Sequence, residues 1–227
     1  MRIVFVLLSA FILITDIASA GVAIKGKALY SAKFEPAPDI KTGKFKKACG
    51  AAVPDESLLV DNSGLKNVVI TLSGKNLNGE SKEATLNQKK CRYEPHVLAM
   101  KKESTLLITS SDPINHNIHT YSFENDPVNV MFVPNQEAQE QDMDEPEIIK
   151  VECDLHSWMT AWIVVTDNSY FSITGKQGSY EIADVPPGKY TLTAWHESLG
   201  SIEKEVTIAD KESTIDFDFS HLTPGEE

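Results

Sequence analysis

Basic charge is scarce in this chain: 21 Lys and Arg stand against 33 Asp and Glu, a formal net charge of −12. No basic patch is available to neutralise a phosphate backbone, so nucleic acid is excluded as a partner. An acidic surface keeps a protein in solution, and it can also steer a basic partner. Long apolar runs are missing beyond residue 20. The single run, residues 3–14, is too short to cross a bilayer, so no membrane span is expected. Catalytic signatures are absent too. There is no Gly-x-Ser-x-Gly elbow, no HExxH and no Gly-rich phosphate loop, and the chain is read as a non-enzyme. No helical periodicity of useful length and no long internal repeat appears.

What the first residues do contain is an export pattern. Arg2 precedes the apolar run, and Ala18-Ser19-Ala20 fits the small-residue cleavage rule, so residues 1–20 are expected to be a signal peptide. The destination is then periplasmic or secreted. In such an oxidising compartment three cysteines are an odd number. One pair plus one spare is the simplest solution: Cys49 with Cys91, leaving Cys153 free. The competing pairing joins Cys153 to Cys91.

The mature chain alternates in the manner of short strands. Strands are expected near residues 22–30, 65–72, 117–123, 148–152 and 161–165. Residues 93–100 and 104–109 read as a pair around the turn at 101–103. The segment 34–49 reads as loop, and 73–90 as a polar connection. Residues 124–147, rich in acids and proline, read as a long mobile loop. After Asn168 the strand pattern restarts with Gly and Pro turns and runs to residue 219. The fold class is all-β, with a division at 21–166 and 167–227.

The residues that carry chemistry are Cys153-Asp-Leu-His156-Ser-Trp-Met159 and the upstream His116-Asn117. They supply one thiolate, two imidazoles and one thioether. Soft sulfur ligands stabilise Cu(I), and imidazole suits both oxidation states of copper. A Cys/His/His set with a weak axial Met is the pattern of electron-transfer copper. One copper ion cycling between Cu(I) and Cu(II) is the cofactor this set selects. His119 lies three residues beyond His116, so on a strand it points to the other face. His96, after Pro95, is read as a neighbour of the ligands outside the first coordination sphere, as a substitute ligand, or as a surface or core histidine. His196 is placed at the surface or between domains, and His221 in the tail.

Residues 90–165 resemble the cupredoxins, and within them the amicyanin- and plastocyanin-like blue copper proteins. The short Cys-x-x-His-x-x-Met loop and His116-Asn117-Ile118-His119 carry that resemblance. It implies a Greek-key β-sandwich with His116, Cys153, His156 and Met159 as ligands. It further implies that Asn117 braces the ligand loop and that electrons leave at the His156 edge, beside Trp158. Residues 174–190, with Gly178-Ser-Tyr180 and Pro186-Pro-Gly188-Lys-Tyr190, resemble the carboxypeptidase regulatory-like, or transthyretin-like, β-sandwich. That resemblance is informative about fold and nearly silent on function.

The functional expectation is an exported one-electron carrier whose partner is a redox protein, basic or a cytochrome. Two other readings stand beside it. One is a copper storage or delivery protein, although five Met, Met1 included, form no Met-rich tract. The other is a docking or assembly module of an exported complex that does no redox work.

Overall fold

The structure is a computed structural model that describes residues 21–225, so the expected signal peptide at 1–20 lies outside the described residues. Four β-sheets stack into layers with three apolar seams between them. The first sheet runs Gln139–Met143, Ser104–Ser110, Ala84–Gln88, Tyr93–Glu94. The second runs Asn129–Phe132, His116–Tyr121, Glu147–Glu152, Thr160–Thr166, Val97–Lys101. Leu86, Leu106, Ile108, Ile118, Phe132, Ile149 and Ile163 fill the seam between them. These residues alternate along β-branched strands, which is why each strand offers one apolar face.

The third and fourth layers form a second sandwich. One sheet runs Phe171–Ile173, Val69–Ser73, Gly188–His196, Gly200–Ile208. The other is built around Val22–Leu29, which pairs Ser179–Val185 on one side and Ser213–Thr214 and Phe217–Asp218 on the other. Its core joins Ile24, Ala28, Leu65, Ile70 and Leu72 to Tyr180, Ile182, Leu192, Phe217 and Phe219. The division expected at residue 166 therefore does not separate the two cores. Strands from residues 22–29 and 69–73 complete the sandwich that the C-terminal residues begin, because residues 170–219 alone leave one apolar face of each sheet uncovered.

Between the sandwiches lies a thinner seam of Val69, Val97 and Val164, with Ala99, Trp162, Ile173 and Trp195 packed on it. Polar groups reinforce it. Glu197 accepts hydrogen bonds from the Trp162 indole and pairs with His96, whose other ring nitrogen meets the Thr160 carbonyl. The Trp162 and Trp195 rings meet edge to face at 5.3 Å.

Three further expectations are corrected. Residues 93–100 and 104–109 do not pair with each other: Val97–Lys101 pairs with Thr160–Thr166 in one sheet, and Ser104–Ser110 pairs with Ala84–Gln88 and Gln139–Met143 in the other. The turn between them carries the chain from one sheet to the other. Residues 124–147 are not a structureless loop, since Asn129–Phe132 and Gln139–Met143 extend both sheets as edge strands. Acidic side chains on an outward face conceal a strand from composition without preventing it. Residues 34–49 include a short 3-10 turn and a one-turn helix, and Ile40–Lys41 pairs with Ala52–Val53.

His196 ends the Gly188–His196 strand with no exposed surface and accepts the Ser198 N–H at 3.2 Å. Burial, then the charge of His96, pushes it down to about 4. The unfolded imidazole titrates near ~6.5. A value lowered on folding means that this group's stabilisation is present above the unfolded value and is lost as pH falls toward 4. Burial holds His156 down to about 4 in the same sense, whereas His96 and His116 shift upward and act oppositely. Urea unfolding at pH 7 and near pH 4.5 should show His196→Asn losing about 2 kcal/mol less than the parent on acidification. An equally steep loss in both proteins removes His196 from the acid response.

Candidate metal centre

The Glu147–Glu152 strand delivers Cys153, and the Thr160–Thr166 strand leaves just after Met159. Seven residues between neighbouring antiparallel strands must turn tightly. They close on themselves: the Cys153 N–H reaches the Met159 carbonyl at 3.1 Å, His156 N–H the Cys153 carbonyl at 3.2 Å, and Met159 N–H the His156 carbonyl at 2.8 Å. Cys153, His156 and Met159 are all buried. His116 opens the adjacent His116–Tyr121 strand with its ring fully buried.

Cys153, His116 and His156 each bring a donor atom within 4.8 Å of the others. The two Nδ1 atoms face each other at 3.0 Å, and Cys153 Sγ lies 3.6 Å from His156 Nδ1. Bonds of ~2.0–2.1 Å to nitrogen and ~2.3 Å to sulfur hold ligand atoms ~3.3–3.8 Å apart around one ion. The residues thus fit a single metal ion with little rearrangement. Cys153 is a free cysteine, because Cys49 and Cys91 form the disulfide. The competing Cys91–Cys153 pairing is excluded.

Hydrogen bonds fix which ring nitrogens face the centre. Asp112 Oδ2 lies 2.9 Å from His116 Nε2, which leaves Nδ1 as the inward atom. The same carboxylate accepts the Lys90 and Cys91 N–H groups at 2.6 and 2.7 Å. Burial opposes the charge of Asp112, but the His116 bond and these two N–H groups outweigh it and lower its pKa. Burial likewise opposes the His116 cation, and Asp112 and Cys153 together raise the value. The Cys153 thiol is lowered despite burial, by His116 and by the backbone N–H groups of Asn117, Leu155 and His156. The shift is toward the thiolate, the form that binds metal.

Asn117 bonds to the ligand loop through both backbone and side chain. Its backbone N–H points at Cys153 Sγ from 3.5 Å, its Oδ1 accepts the Asp154 N–H at 2.7 Å, and its amide donates to Asp154 and Asn129. Tyr93 adds a contact that its sequence context concealed. Its buried hydroxyl lies 2.6 Å from the Asn117 carbonyl and 2.9 Å from that of Glu152, between the two ligand-bearing strands. His96 does not reach the ligand cluster; it bonds to Thr160 and Glu197 in the seam between the sandwiches. His119 faces outward and meets Asp154 at 3.1 Å.

The His156 edge differs most from expectation. Its ring is 1% exposed. Phe45 packs edge-on against it with centroids 4.4 Å apart, and Trp158 flanks it at 5.2 Å. Phe45 comes from the one-turn segment closed by Thr42, whose N–H and hydroxyl bond the Ala51 and Gly50 carbonyls. Cys49–Cys91 pins this segment to the sandwich, and the Trp158 indole donates to the Cys91 carbonyl at 3.1 Å. The expected exit patch at His156 and Trp158 is therefore capped, not open. Phe45 and Asp112 both escaped the sequence reading. Asp112 offers one weak signal, its position four residues before His116, and Phe45 offers none.

Comparison with known proteins gives a family match to polysaccharide lyase family 4, domain II, over residues 148–216. That is under a third of the chain. The matched residues begin in the ligand-bearing sheet and run into the second sandwich, and the family is not that of a carboxypeptidase regulatory-like domain. No curated protein sequence matches the chain. Among solved structures it is similar to a Cu-containing nitrite reductase from Thermus scotoductus SA-01, at 15% identity and TM-score 0.35, over 38% of this chain and 23% of that one. The chain thus spans about a quarter of that protein's length. It is also similar to a purple cupredoxin from Nitrosopumilus maritimus, at 19% identity and TM-score 0.32, over 37% of this chain and 99% of that one. A variant of amicyanin in its reduced Cu(I) form matches at 18% identity and TM-score 0.34, over 43% of this chain and 98% of that one. Likeness at this level carries no information about the centre's chemistry.

Burial is the first cause of the low His156 value, so uncovering the ring must raise it. In Phe45→Ala, a histidine NMR titration of the metal-free protein should show His156 moving from about 4 up toward the ordinary ~6.5. An unchanged titration would mean that Phe45 does not seal the ring.

Proposed function

We propose that the protein is an exported mononuclear copper protein that carries one electron at a time and is not an enzyme. His116, Cys153, His156 and Met159 hold the ion. The carrying observation is the convergence of one thiol and two imidazole Nδ1 atoms from a strand start and a tight turn, all buried, with His116 held by Asp112 and Cys153 by the Asn117 N–H. Copper bound there supplies the gain and loss of one electron. The chain's own part is to hold the donors still. Both strands are locked in one sheet, His116 is clamped by Asp112, and Cys153 receives the Asn117 N–H. Rigid donors change little between oxidation states, so little reorganisation opposes the electron. Phe45 and Trp158 keep water from His156.

Storage or delivery requires the ion to leave readily. The disulfide-pinned cap over His156 opposes that and favours the carrier. Among the described residues no helix is long and apolar enough to cross a membrane. The Cys49–Cys91 bond fits an oxidising compartment, which supports a periplasmic or secreted location.

Titration of the mature protein with Cu(II) should give an intense thiolate-to-copper absorption band and a matching electron spin resonance signal that saturate at one equivalent. Cys153→Ser should abolish both. A colourless protein without stoichiometric copper rejects the reading and leaves a docking or assembly module. Separately, Asp112→Asn should keep the band but weaken copper binding by about 10–100-fold, the usual effect of losing a partner behind a metal-bound histidine. Competition with a chelator of known affinity measures it, and an unchanged affinity shows the clamp to be dispensable.

A further inference from the structure

The outer face of the ligand-bearing sheet is divided in two. Register places Trp162 opposite Lys150 and Val97, Val164 opposite Ile148 and Ala99, and Thr160 opposite Glu152. On this side Trp162, Val164, Val97 and Ala99 disappear into the seam with the second sandwich. On the other side the same face continues through Ile148, Lys150, Glu152, His119, Tyr121, Asn129 and Met131. Among the described residues nothing covers this half. Tyr121, Met131 and Ile148 are 42%, 46% and 44% exposed, and Phe123, two residues past Tyr121, is 91% exposed.

Acids gather on and beside this apolar half: Glu152 and Asp154 on the face, and Glu124, Asp126 and Glu147 at its Phe123 end, against one base, Lys150. That Lys is neutralised by Glu152 at 3.3 Å and lies 5.9 Å from the Trp162 ring. The face is also wired to the centre. His119 stacks on Tyr121 with centroids 4.6 Å apart and bonds Asp154, the residue after Cys153. Asp154 in turn accepts from the side-chain amide of Asn117, and the Asn117 backbone N–H meets Cys153 Sγ.

We propose that this open half, centred on Tyr121, Met131 and Ile148, is the docking face for a basic partner protein whose apolar contact patch is ringed by Lys and Arg. The inference rests on the carrier reading only for the partner's being a redox protein. The surface itself follows from exposure, register and charge. A partner seated here lies over His119 and Asp154, close in the chain to the thiolate. The His156 side, closed by Phe45, offers no such contact. Opposite charge speeds encounter and sets orientation, and the exposed apolar side chains then bury together.

The test uses the full mature chain without copper and a lysine-rich cytochrome c as the probe, followed by amide NMR. Binding should perturb residues 119–133 and 148–154 in a saturable way and should weaken steeply as ionic strength passes ~0.1 M. Tyr121→Ser with Met131→Ser should weaken it by about tenfold or more. Glu124→Lys with Asp126→Lys, both on exposed positions, should do the same while leaving the spectrum of a folded protein. Phe45→Ser should leave binding unchanged. Perturbations gathered at Phe45 and Trp158, salt-insensitive contact, or no saturable binding each overturn the proposal. Because copper is absent, a failed copper titration leaves this result unaffected, and a good copper signal cannot rescue a failed docking result.

Discussion

The carboxylate of Asp112 is the joint on which the centre depends. It sits below the surface and accepts three hydrogen bonds, from the Lys90 and Cys91 backbone and from the His116 ring. Hydrogen bonds to a charged group contribute about 1.5–3 kcal/mol each, and a buried carboxylate left without them is strongly destabilising. The three bonds must therefore form together. Cys91 carries the disulfide that holds the cap, and its carbonyl receives the Trp158 indole. One anion thus fixes the His116 tautomer, the turn at residues 90–91 and, through Cys91, the cover over His156. In the chain-entropy model the disulfide across 42 residues contributes about 4 kcal/mol. Its larger consequence is positional, because without it nothing covalent keeps Phe45 over the imidazole.

The second sandwich shapes the centre from a distance. It covers the outer face of the Thr160–Thr166 and Val97–Lys101 strands, so the strand that leaves the ligand loop is packed on both sides. Glu197 reaches across to Trp162 and His96, and His96 returns to the Thr160 carbonyl, one residue past Met159. Charge and burial are balanced there: burial pulls His96 down, but Glu197 at hydrogen-bond distance raises it above its ordinary value. The His96–Glu197 pair thereby registers one sandwich against the other at the point where the ligand loop ends.

What the sequence made legible follows from what its patterns encode. The alternation in residues 117–123 and the β-branched residues in 65–72 locate strands, because a half-buried strand writes its burial with period two and β-branched side chains favour the pleat. The spacing of Cys153, His156 and Met159 is similarly local, so the ligand loop could be read before any fold was known. Pairing is not local. Val97–Lys101 and Ser104–Ser110 look like a hairpin, yet each finds its partners elsewhere. Val22–Leu29 gives no sign that its neighbours lie beyond residue 178. The edge strand at 139–143 is hidden by acids that face solvent, and the one at 129–132 is only four residues long. Phe45 was invisible for the strongest reason: a contact across more than a hundred residues, to a ring within the ligand loop, leaves no periodicity in either segment.

Capping one side of a buried centre has a consequence for the other. Phe45, Trp158 and the disulfide close the approach to His156. The second sandwich closes half of the ligand-bearing sheet. What is left open near the centre is the region where Asp154 and His119 come to the surface. Asp154 is held below its ordinary pKa, first by His119 and then by the amides of Asn117 and Asn129, so it remains an anion and its bond to His119 persists. An exposed pair of this kind contributes little to stability. Its significance lies in orientation: it fixes an imidazole on a tyrosine ring, at the edge of an acidic surface, three hydrogen bonds from the sulfur that the centre is built around.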